Sequence, residues 1–353
     1  MPGKRIALDV MGGDQAPEAI LEGALRATSE DAPQRLDPER ILLVGDEERL
    51  RALLDERGGN PGFELRHASQ VIGMGESPGQ ALRQKPDSSI HGCVGAVRAG
   101  EAGALVSMGN TGAVVGVSTV ALKTLAGVKR PGIAVTIELT GRPLTVIDMG
   151  ANVAPKPAHL LQNGYMGSIY ARDCLGQSAA RVGLLNIGEE PSKGTEVLKE
   201  AHALLSAQDA FDFVGNVEPG DLFVDKAEVV VSDGFTGNVV LKLMEGFAGF
   251  IFQLIARELG SHGVQLPPAA LKAIQRRIDY SEYGGALLLG VDGIVVIGHG
   301  RSDANAVANA LAQGARALDA EVNAHIVEGL SKSDGTPPPT SHPAEPGLEP
   351  ADA

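Results

Sequence analysis

Short apolar segments alternate along the chain with longer segments in which apolar residues recur at helical spacing. Residues 5–10 form the first apolar run, and Ile20, Leu21, Ala24 and Leu25 follow it with the spacing of one helix face. The alternation continues to about residue 330 without an internal repeat or a linker. It predicts one Rossmann-like, three-layer α/β domain over residues 1–330, built on a mostly parallel sheet.

Two regions depart from this alternation. Residues 133–138 and 144–148 are apolar runs on either side of a short polar turn at 140–142, which predicts a hairpin and therefore some antiparallel strands. The last segment, residues 331–353, is rich in Pro, Ser and acidic residues. We expect it to be a disordered tail.

One predicted helix, over residues 236–259, is apolar on nearly all of its sides. Lys242, Glu245 and several glycines within it argue against a membrane span. A helix this apolar is typical of a buried element, so we expect it to be buried, at a dimer interface. It begins a predicted helical hairpin insertion around residues 245–285.

Six predicted strands end in small and polar residues. The segments are 9–14, 107–112, 148–152, 186–193, 232–238 and 298–303. In open α/β sheets, ligands bind at the carboxyl ends of strands, and free N–H groups of helix N-termini attract anions. Helix capping alone explains any single segment, but six together predict one shared sheet edge that binds an anion or a phosphorylated ligand.

Composition and the absence of known motifs limit the classes of function that are possible for this chain. The net charge is −14, from 30 Lys and Arg against 44 Asp and Glu, which argues against a nucleic-acid-binding protein. The cysteines Cys93 and Cys174 are interpreted as small buried apolar residues. The phosphate-binding, zinc-protease and nucleophile-elbow motifs do not occur. We therefore expect no cofactor and no metal, and the missing secretory leader pattern predicts a cytoplasmic protein.

Three individual side chains can each be interpreted in two ways, as functional residues or as structural ones. His299 lies between two glycines and is either a general acid/base or anion ligand, or a structural histidine. Lys193 follows two glutamates and is either solvated or the cation for an anionic substrate. Asp233 either caps a helix or orients a substrate group.

The polar strand ends resemble those of the PlsX-type phosphate acyltransferases. The matching segments are Ile6 to Pro17, Ser107 to Ala113, Asp148 to Asn152, Asn186 to Glu190 with Lys193 and Gly194, Ser232 to Asn238, and Asp279 to Ala286. They occur in the family's order over roughly residues 5–325. Arg301 departs from the family pattern, in which serine is more common.

The resemblance implies a reaction in which acyl-[acyl-carrier-protein] and inorganic phosphate give acyl-phosphate and the free carrier. The product feeds glycerol-3-phosphate acylation at the start of phospholipid synthesis. The resemblance also implies a fold similar to those of phosphotransacetylases and isopropylmalate dehydrogenases. Phosphate itself attacks the thioester, so the protein needs no covalent nucleophile and scarcely a general base.

Roles for the polar residues follow as hypotheses. Phosphate is placed among Gly12, Gly13, Asn110, Thr111 and Gly112, with Lys193 or His299 supplying positive charge. Asn152, Asp233 and Asn238 are expected to orient the thioester. The remaining predicted substrate-binding residues are Asp9, Asp14, Asp148, Glu189 and Thr236.

Partners follow in the same way. The carrier protein is acidic, so docking requires a basic patch; the candidates are Lys123, Lys129 with Arg130, Lys272, and Arg276 with Arg277. Leu266, Ala270 and Ile274 are predicted to line an amphipathic element that contacts the membrane or, alternatively, a partner subunit. A homodimer, peripheral membrane association and cooperation with a membrane glycerol-3-phosphate acyltransferase complete the expectation.

Three alternatives stay open. A phosphotransacetylase uses acyl-CoA with phosphate and shares the chemistry. An isopropylmalate-type dehydrogenase needs a metal-binding aspartate cluster, and no such close Asp spacing occurs. A non-catalytic scaffold for membrane lipid enzymes shows no turnover with any donor.

Overall fold

The computed structural model describes residues 4–138, 140–263, 267 and 284–332. Its centre is an 11-stranded sheet with the strand order β3-β2-β1-β4-β11-β10-β5-β6-β9-β7-β8. The strands are β1 (Ile6–Asp9), β2 (Ile41–Gly45), β3 (Glu64–His67), β4 (Ala104–Ser107), β5 (Gly132–Glu138), β6 (Pro143–Ile147), β7 (Arg181–Leu185), β8 (Asp212–Val217), β9 (Val229–Val231), β10 (Ala286–Leu289) and β11 (Ile294–Ile297).

Helices connect most of these strands and cover both faces of the sheet. They are α1 (Glu18–Thr28), α2 (Glu47–Asp55), α3 (Pro78–Gln84), α4 (Ser89–Arg98), α5 (Thr111–Leu122), α6 (Pro157–Leu175), α7 (Glu196–Ser206), α8 (Gly234–Ser261), α9 (Ala304–Asp319) and α10 (Val322–Lys332). The predicted α/β class is confirmed. Residues 73–87 contain Gly, Pro, Ser and Lys in a pattern that predicts a loop, and α3 shows this prediction to be wrong within that segment.

Two apolar cores, one on each face of the sheet, produce the three layers. In β1, Ile6 and Leu8 belong to one core, whereas Ala7 between them belongs to the other. Successive side chains of a strand point to opposite faces. A strand buried on both faces is therefore apolar throughout, and this explains the continuous apolar runs of the sequence.

The sheet changes direction at its centre. The pairs β11–β10, β10–β5 and β5–β6 are all antiparallel, and the other strand pairs are parallel. The predicted hairpin is β5–β6, and it is confirmed. Three successive reversals leave β6, β7, β8 and β9 antiparallel to β1, β2, β3, β4 and β11.

This reversal corrects the expectation of one shared edge. The strands β1, β4 and β11 end at one edge of the sheet, whereas β6, β7 and β9 end at the opposite edge. The sequence pattern does not predict β10 as a strand. Strand β10 forms two of the three antiparallel pairs. A prediction that lacks it therefore cannot give the relative direction of the strands in the two halves of the sheet. The six polar strand ends are therefore divided into two groups of three.

Helix α8 is largely exposed in the single chain, so its predicted burial at a dimer interface stays a prediction. Val240, Leu241 and Met244 pack against the core. An apolar stripe, which we define as Phe235, Val239, Leu243, Phe247, Phe250 and Leu254, faces outward. Leu243 is 66% exposed and Phe247 57% exposed. By length and hydropathy alone α8 is the described helix that qualifies as a membrane span.

Some predictions fall on residues outside the described part of the chain. These are the disordered tail, the second arm of the hairpin insertion around 245–285, the membrane contacts Leu266, Ala270 and Ile274, and the basic-patch candidates Lys272, Arg276 and Arg277. They stay predictions.

Candidate functional site

The first group of turns is built around a buried carboxyl group at the end of β1. Ser107, at the end of β4, donates its hydroxyl to Asp9 Oδ2 at 2.6 Å and accepts from Gly109 N at 3.0 Å. Met11 N donates to Asp9 Oδ1 at 3.2 Å. Burial raises the pKa of Asp9, and the hydrogen bonds from Ser107 and the turn oppose that rise. Asp9 is fully buried, so it positions the turns.

The three turns of this group are in direct contact. A Cβ atom on Gly12 would lie 2.4 Å from Asp9 Oδ2 and 2.8 Å from Gly109 N, so only glycine fits there. Gly13 has a φ of 109°, which also favours glycine. Asp14 N donates to Gly300 O at 2.7 Å and so connects the β11 turn to the β1 turn. The side chain of Asp14 is exposed.

Asn110 is engaged within the protein. Its Oδ1 accepts from Ala113 N at 3.1 Å and caps α5, and its Nδ2 donates to the carbonyl oxygens of Met74 and Glu76 at 3.0 Å each. The side chain is 8% exposed. The two residues after it, Thr111 and Gly112, are exposed at the first turn of α5. Free N–H groups in the first turn of a helix are of the kind that attracts anions.

His299 supplies the ionisable ring of the first group. It is partly buried, and its Nδ1 accepts from Arg301 N at 3.1 Å, which leaves Nε2 as the donor of a neutral ring. Ser302 beside it has a buried hydroxyl without a hydrogen-bond partner among the described residues. The side chain of Arg301 is exposed. The sequence analysis named this turn but did not single out Ser302.

The second group is built around another buried carboxylate, Asp148, directly after β6. Its Oδ1 accepts from the backbone N–H groups of Ile133, Gly150 and Ala151 at 3.1, 3.0 and 2.8 Å. Its Oδ2 accepts from both Asn152 N and Asn152 Nδ2, at 2.7 and 2.8 Å. Asp148 is 1% exposed. The carboxylate therefore fixes the conformation of the turn and does not contact solvent.

The start of α8 packs onto this turn. Asp233 caps the helix, because its Oδ1 accepts from Thr236 N at 2.8 Å and its Oδ2 from Thr236 Oγ1 at 2.6 Å. Gly234 N donates to Asn152 O at 2.8 Å. A Cβ atom on Gly237 would lie 2.1 Å from Asp148 O. The side chain of Asn238 is exposed beside Gly150.

The third turn of the second group carries Lys193 and Glu189. Asn186 Nδ2 donates to Lys193 O at 3.0 Å, which folds the turn back on the end of β7. Lys193 Nζ lies 3.9 Å from Glu190 Oε1 and is half exposed. Glu189 accepts from Lys226 Nζ at 2.5 Å. Lys193 therefore remains available to an anionic ligand.

The two groups are too far apart in one chain to hold the same phosphate. Ser107 of β4 shares its register with Val146 of β6 through β11, β10 and β5. Four strand spacings of about 4.8 Å separate them by about 19 Å along the sheet. The structure thus brings Gly12, Gly13, Asn110 and His299 together, and separately Asp148, Asn152, Lys193, Asp233 and Asn238.

Further residues join these turns without any sequence motif to mark them. Lys226 bridges Glu189 and Asp221, at 2.5 and 2.8 Å. Asn216 Nδ2 donates to Glu190 O at 2.8 Å, and its buried Oδ1 has no partner among the described residues. Their partners lie 5 to 37 residues away in sequence. No local pattern could have revealed them.

The structure also shows whether the two thiols are reactive and whether side chains that could bind a metal ion are grouped together. Cys93 and Cys174 are free and buried, as predicted. Burial raises the pKa of Cys93 well above its ordinary value and that of Cys174 to about 12, so neither is a thiolate at neutral pH. Over the described ranges, no group of three or more His, Cys, Asp and Glu side chains is arranged to hold a metal ion.

Solved structures place this architecture in a known class. A EutD phosphotransacetylase from Staphylococcus aureus matches with a TM-score of 0.57 at 17% identity, covering 90% of this chain and 94% of that one. A phosphotransacetylase from Streptococcus pyogenes matches with a TM-score of 0.60 at 16% identity, with the same coverage. The chain has the phosphotransacetylase fold, as the resemblance implies.

Sequence relatives define the family within that class. Residues 4–325 match the family model described as "Fatty acid synthesis protein". A phosphate acyltransferase from Salinibacter ruber is 43% identical over 340 residues, covering 94% of this chain and 99% of the relative. One from Pelotomaculum thermopropionicum is 46% identical over 312 residues, covering 87% and 89%. The chain belongs to the phosphate acyltransferase family, a family of transferase enzymes, and the predicted resemblance is confirmed.

Proposed function

We propose that this protein transfers a fatty acyl group from acyl-[acyl-carrier-protein] to inorganic phosphate, and that the acyl-phosphate serves the first acylation step of phospholipid synthesis. The observation that carries the proposal is family membership over nearly the whole chain. The buried thiols support it, since neither cysteine is available as an acyl-accepting nucleophile. Direct attack by phosphate requires none.

The reaction balances without a covalent intermediate. An oxygen of HPO₄²⁻ forms a bond to the thioester carbonyl carbon, the carbon–sulfur bond breaks, and the phosphate proton passes to the departing carrier sulfur. The protein must hold a dianion against the carbonyl and stabilise the oxyanion. Turn N–H groups, the N-termini of α5 and α8, and a cation such as Lys193 are suited to these tasks.

The separation of the two groups suggests how they meet. We propose a homodimer in which the first group of one copy, with His299, faces the second group of the other, with Lys193. Homodimers with two-fold symmetry are the commonest protein oligomers. The apolar stripe of α8 supports this assembly, because exposed apolar patches of that kind mark interaction sites.

Membrane association is a further part of the proposal. The acyl product is a lipid and its acceptor enzyme is a membrane glycerol-3-phosphate acyltransferase, so a cytoplasmic protein that binds the membrane peripherally would deliver it directly. The apolar composition of α8 is consistent with this. Liposome co-sedimentation of Leu266→Asp and Ile274→Asp variants tests it, and undiminished binding would contradict it.

Donor preference tests the central reaction. Purified protein is incubated with phosphate and either an acyl-carrier protein or the matching acyl-CoA, and acyl-phosphate is trapped with hydroxylamine. We expect phosphate-dependent product from the carrier-bound donor. Preference for acyl-CoA would support the alternative phosphotransacetylase function, which the fold also accommodates. No product from either donor would support a scaffold.

A further inference from the structure

Three exposed positive charges lie together beside the second group of turns. Lys129 and Arg130 precede β5, and Lys156 precedes α6. Among the described residues, none of the three forms an ion pair, although many other lysines and arginines of the chain do. We call these three residues the cationic cluster. The chain as a whole has a net charge of −14, so the sign of this cluster is opposite to that of the chain.

Buried hydrogen bonds hold the cluster in place. Gln162 of α6 accepts from Lys129 N at 2.9 Å and donates to Gly127 O at 2.8 Å. Asn152 Nδ2 donates to Pro131 O at 2.6 Å, which connects the segment carrying the cluster directly to the Asp148 turn. The cluster therefore stands on a rigid support at the edge of the candidate site.

The pKa of His159 responds to the positive charges of the cluster. Lys156 N donates to His159 Nδ1 at 3.1 Å, so Nε2 is the donor of the neutral ring. Burial lowers the pKa of His159, and the charges of Arg130, Lys129 and Lys156 lower it further. No carboxylate contributes to that shift. The three cations thus act on one small region without local compensation.

We propose that the cationic cluster of Lys129, Arg130 and Lys156 is the docking surface for the acidic carrier protein that delivers the acyl group. This inference rests on the proposed function. Charge complementarity steers an acidic partner toward exposed, unpaired cations of this acidic chain. Docking there brings the thioester arm next to Asn152 and the start of α8.

Position favours a carrier protein over an anionic membrane as the occupant. A donor that brings a tethered substrate must dock within reach of the reacting turns. Pro131, directly after Lys129 and Arg130, accepts a hydrogen bond from Asn152 of one of these turns. An anionic membrane does not deliver a tethered acyl donor, so it does not need to bind within reach of the reacting turns. Binding to anionic vesicles is therefore an outcome that the experiment must separate from carrier binding.

The test compares two exposed arginines. Arg130→Glu alters the cluster, whereas Arg98→Glu makes the same change on α4, which packs on β1 and β4 in the other half of the sheet. Carrier affinity is measured by fluorescence anisotropy with labelled apo-carrier protein. Turnover is measured with acyl-carrier protein and with an uncharged acyl N-acetylcysteamine thioester.

We expect Arg130→Glu to weaken carrier binding and carrier kcat/KM about tenfold at low ionic strength. The loss should shrink at about 0.5 M salt, and Arg130→Glu combined with Lys156→Glu should enlarge it. Turnover of the uncharged thioester, and every property of Arg98→Glu, should match wild type.

Wild-type affinity of Arg130→Glu for the carrier would overturn the inference, as would equal losses with both donors. Loss of anionic-vesicle binding with intact carrier binding would assign the cluster to the membrane instead. If wild-type protein binds the carrier but forms no acyl-phosphate, the proposed function fails, while the anisotropy comparison still decides the docking surface.

Discussion

Asn152 donates both its backbone N–H and its side-chain amide to the same oxygen of Asp148, at 2.7 and 2.8 Å. This pairing closes the turn after β6 around a carboxylate that receives five N–H groups in total. Asp9 has the corresponding position at the end of β1, with Ser107 as its principal partner. Each half of the sheet thus organises its polar turns around one buried carboxyl group.

Replacement of the Asp148 carboxylate should destabilise the protein. Asp148→Asn leaves one oxygen to accept and turns an NH₂ group toward N–H donors, so we expect the free energy of unfolding to fall by about 2 to 4 kcal/mol. Urea unfolding measures it. Asp46→Asn is the matched control, because Asp46 is the N-cap of α2, a position that asparagine fills equally well. Equal stability of both variants would contradict the assigned role.

Close packing of α8 on the same turn gives a second prediction. In Gly237→Ala the new methyl group would lie 2.1 Å from Asp148 O, whereas at Gly246 in the same helix nothing lies within 4 Å. Gly237→Ala should destabilise the protein by about 1 to 3 kcal/mol through overpacking. Gly246→Ala should stabilise it by about 0.5 to 1 kcal/mol through helix propensity. Thermal unfolding of the pair tests this, and the same sign for both would refute it.

The pair Arg181–Glu228 predicts a pH dependence of stability. Burial raises the pKa of Glu228, but hydrogen bonds from Arg181 outweigh it and lower the pKa overall. The native state therefore binds fewer protons, so the stabilisation is complete above the unfolded pKa near 4.5 and is lost as pH falls through the lower folded value.

Glu228→Gln should therefore be less stable than wild type by about 1 kcal/mol at pH 7. The two proteins should converge at acid pH, where the wild-type carboxyl is protonated too. Urea titrations at several pH values measure the difference. A gap that stays constant down to the acid limit would show that the charge of Glu228 is not the cause.

Much of the fold is readable from the sequence, because both faces of the sheet are buried and strands appear as continuous apolar runs. The N-caps Asn110 and Asp233 are readable too, since each precedes a helical pattern. The division of the polar strand ends into two groups at opposite edges of the sheet could not be predicted from the sequence. It depends on β10, a four-residue strand whose pairing with β5 and β11 has no local signal.

Long-range contacts were equally hidden. Asp9 and Ser107 are 98 residues apart, and no spacing rule connects them. The environment of α8 cannot be predicted from the sequence for another reason. Apolar composition shows that a helix avoids water, but it does not say whether its own chain, a second copy or a membrane covers it.

The apolar stripe of α8 supplies the fourth prediction. Leu243→Asp with Phe247→Asp should convert the proposed dimer to a monomer in light scattering, because two carboxylates would be buried without partners. Lys242→Asp places a carboxylate on the same helix beside the stripe and should leave the dimer intact. A dimer that persists in both variants would show that the stripe is not the subunit contact.

Subunit complementation tests the central claim, a phosphate acyltransferase site formed by opposite sheet edges of two chains. His299→Ala and Lys193→Ala are each expected to abolish most acyl-phosphate formation. After subunit exchange between equal amounts of the two, turnover should recover to about a quarter of wild type, since half of the dimers are mixed and each carries one intact site. No recovery, when fluorescence transfer confirms exchange, would contradict the account.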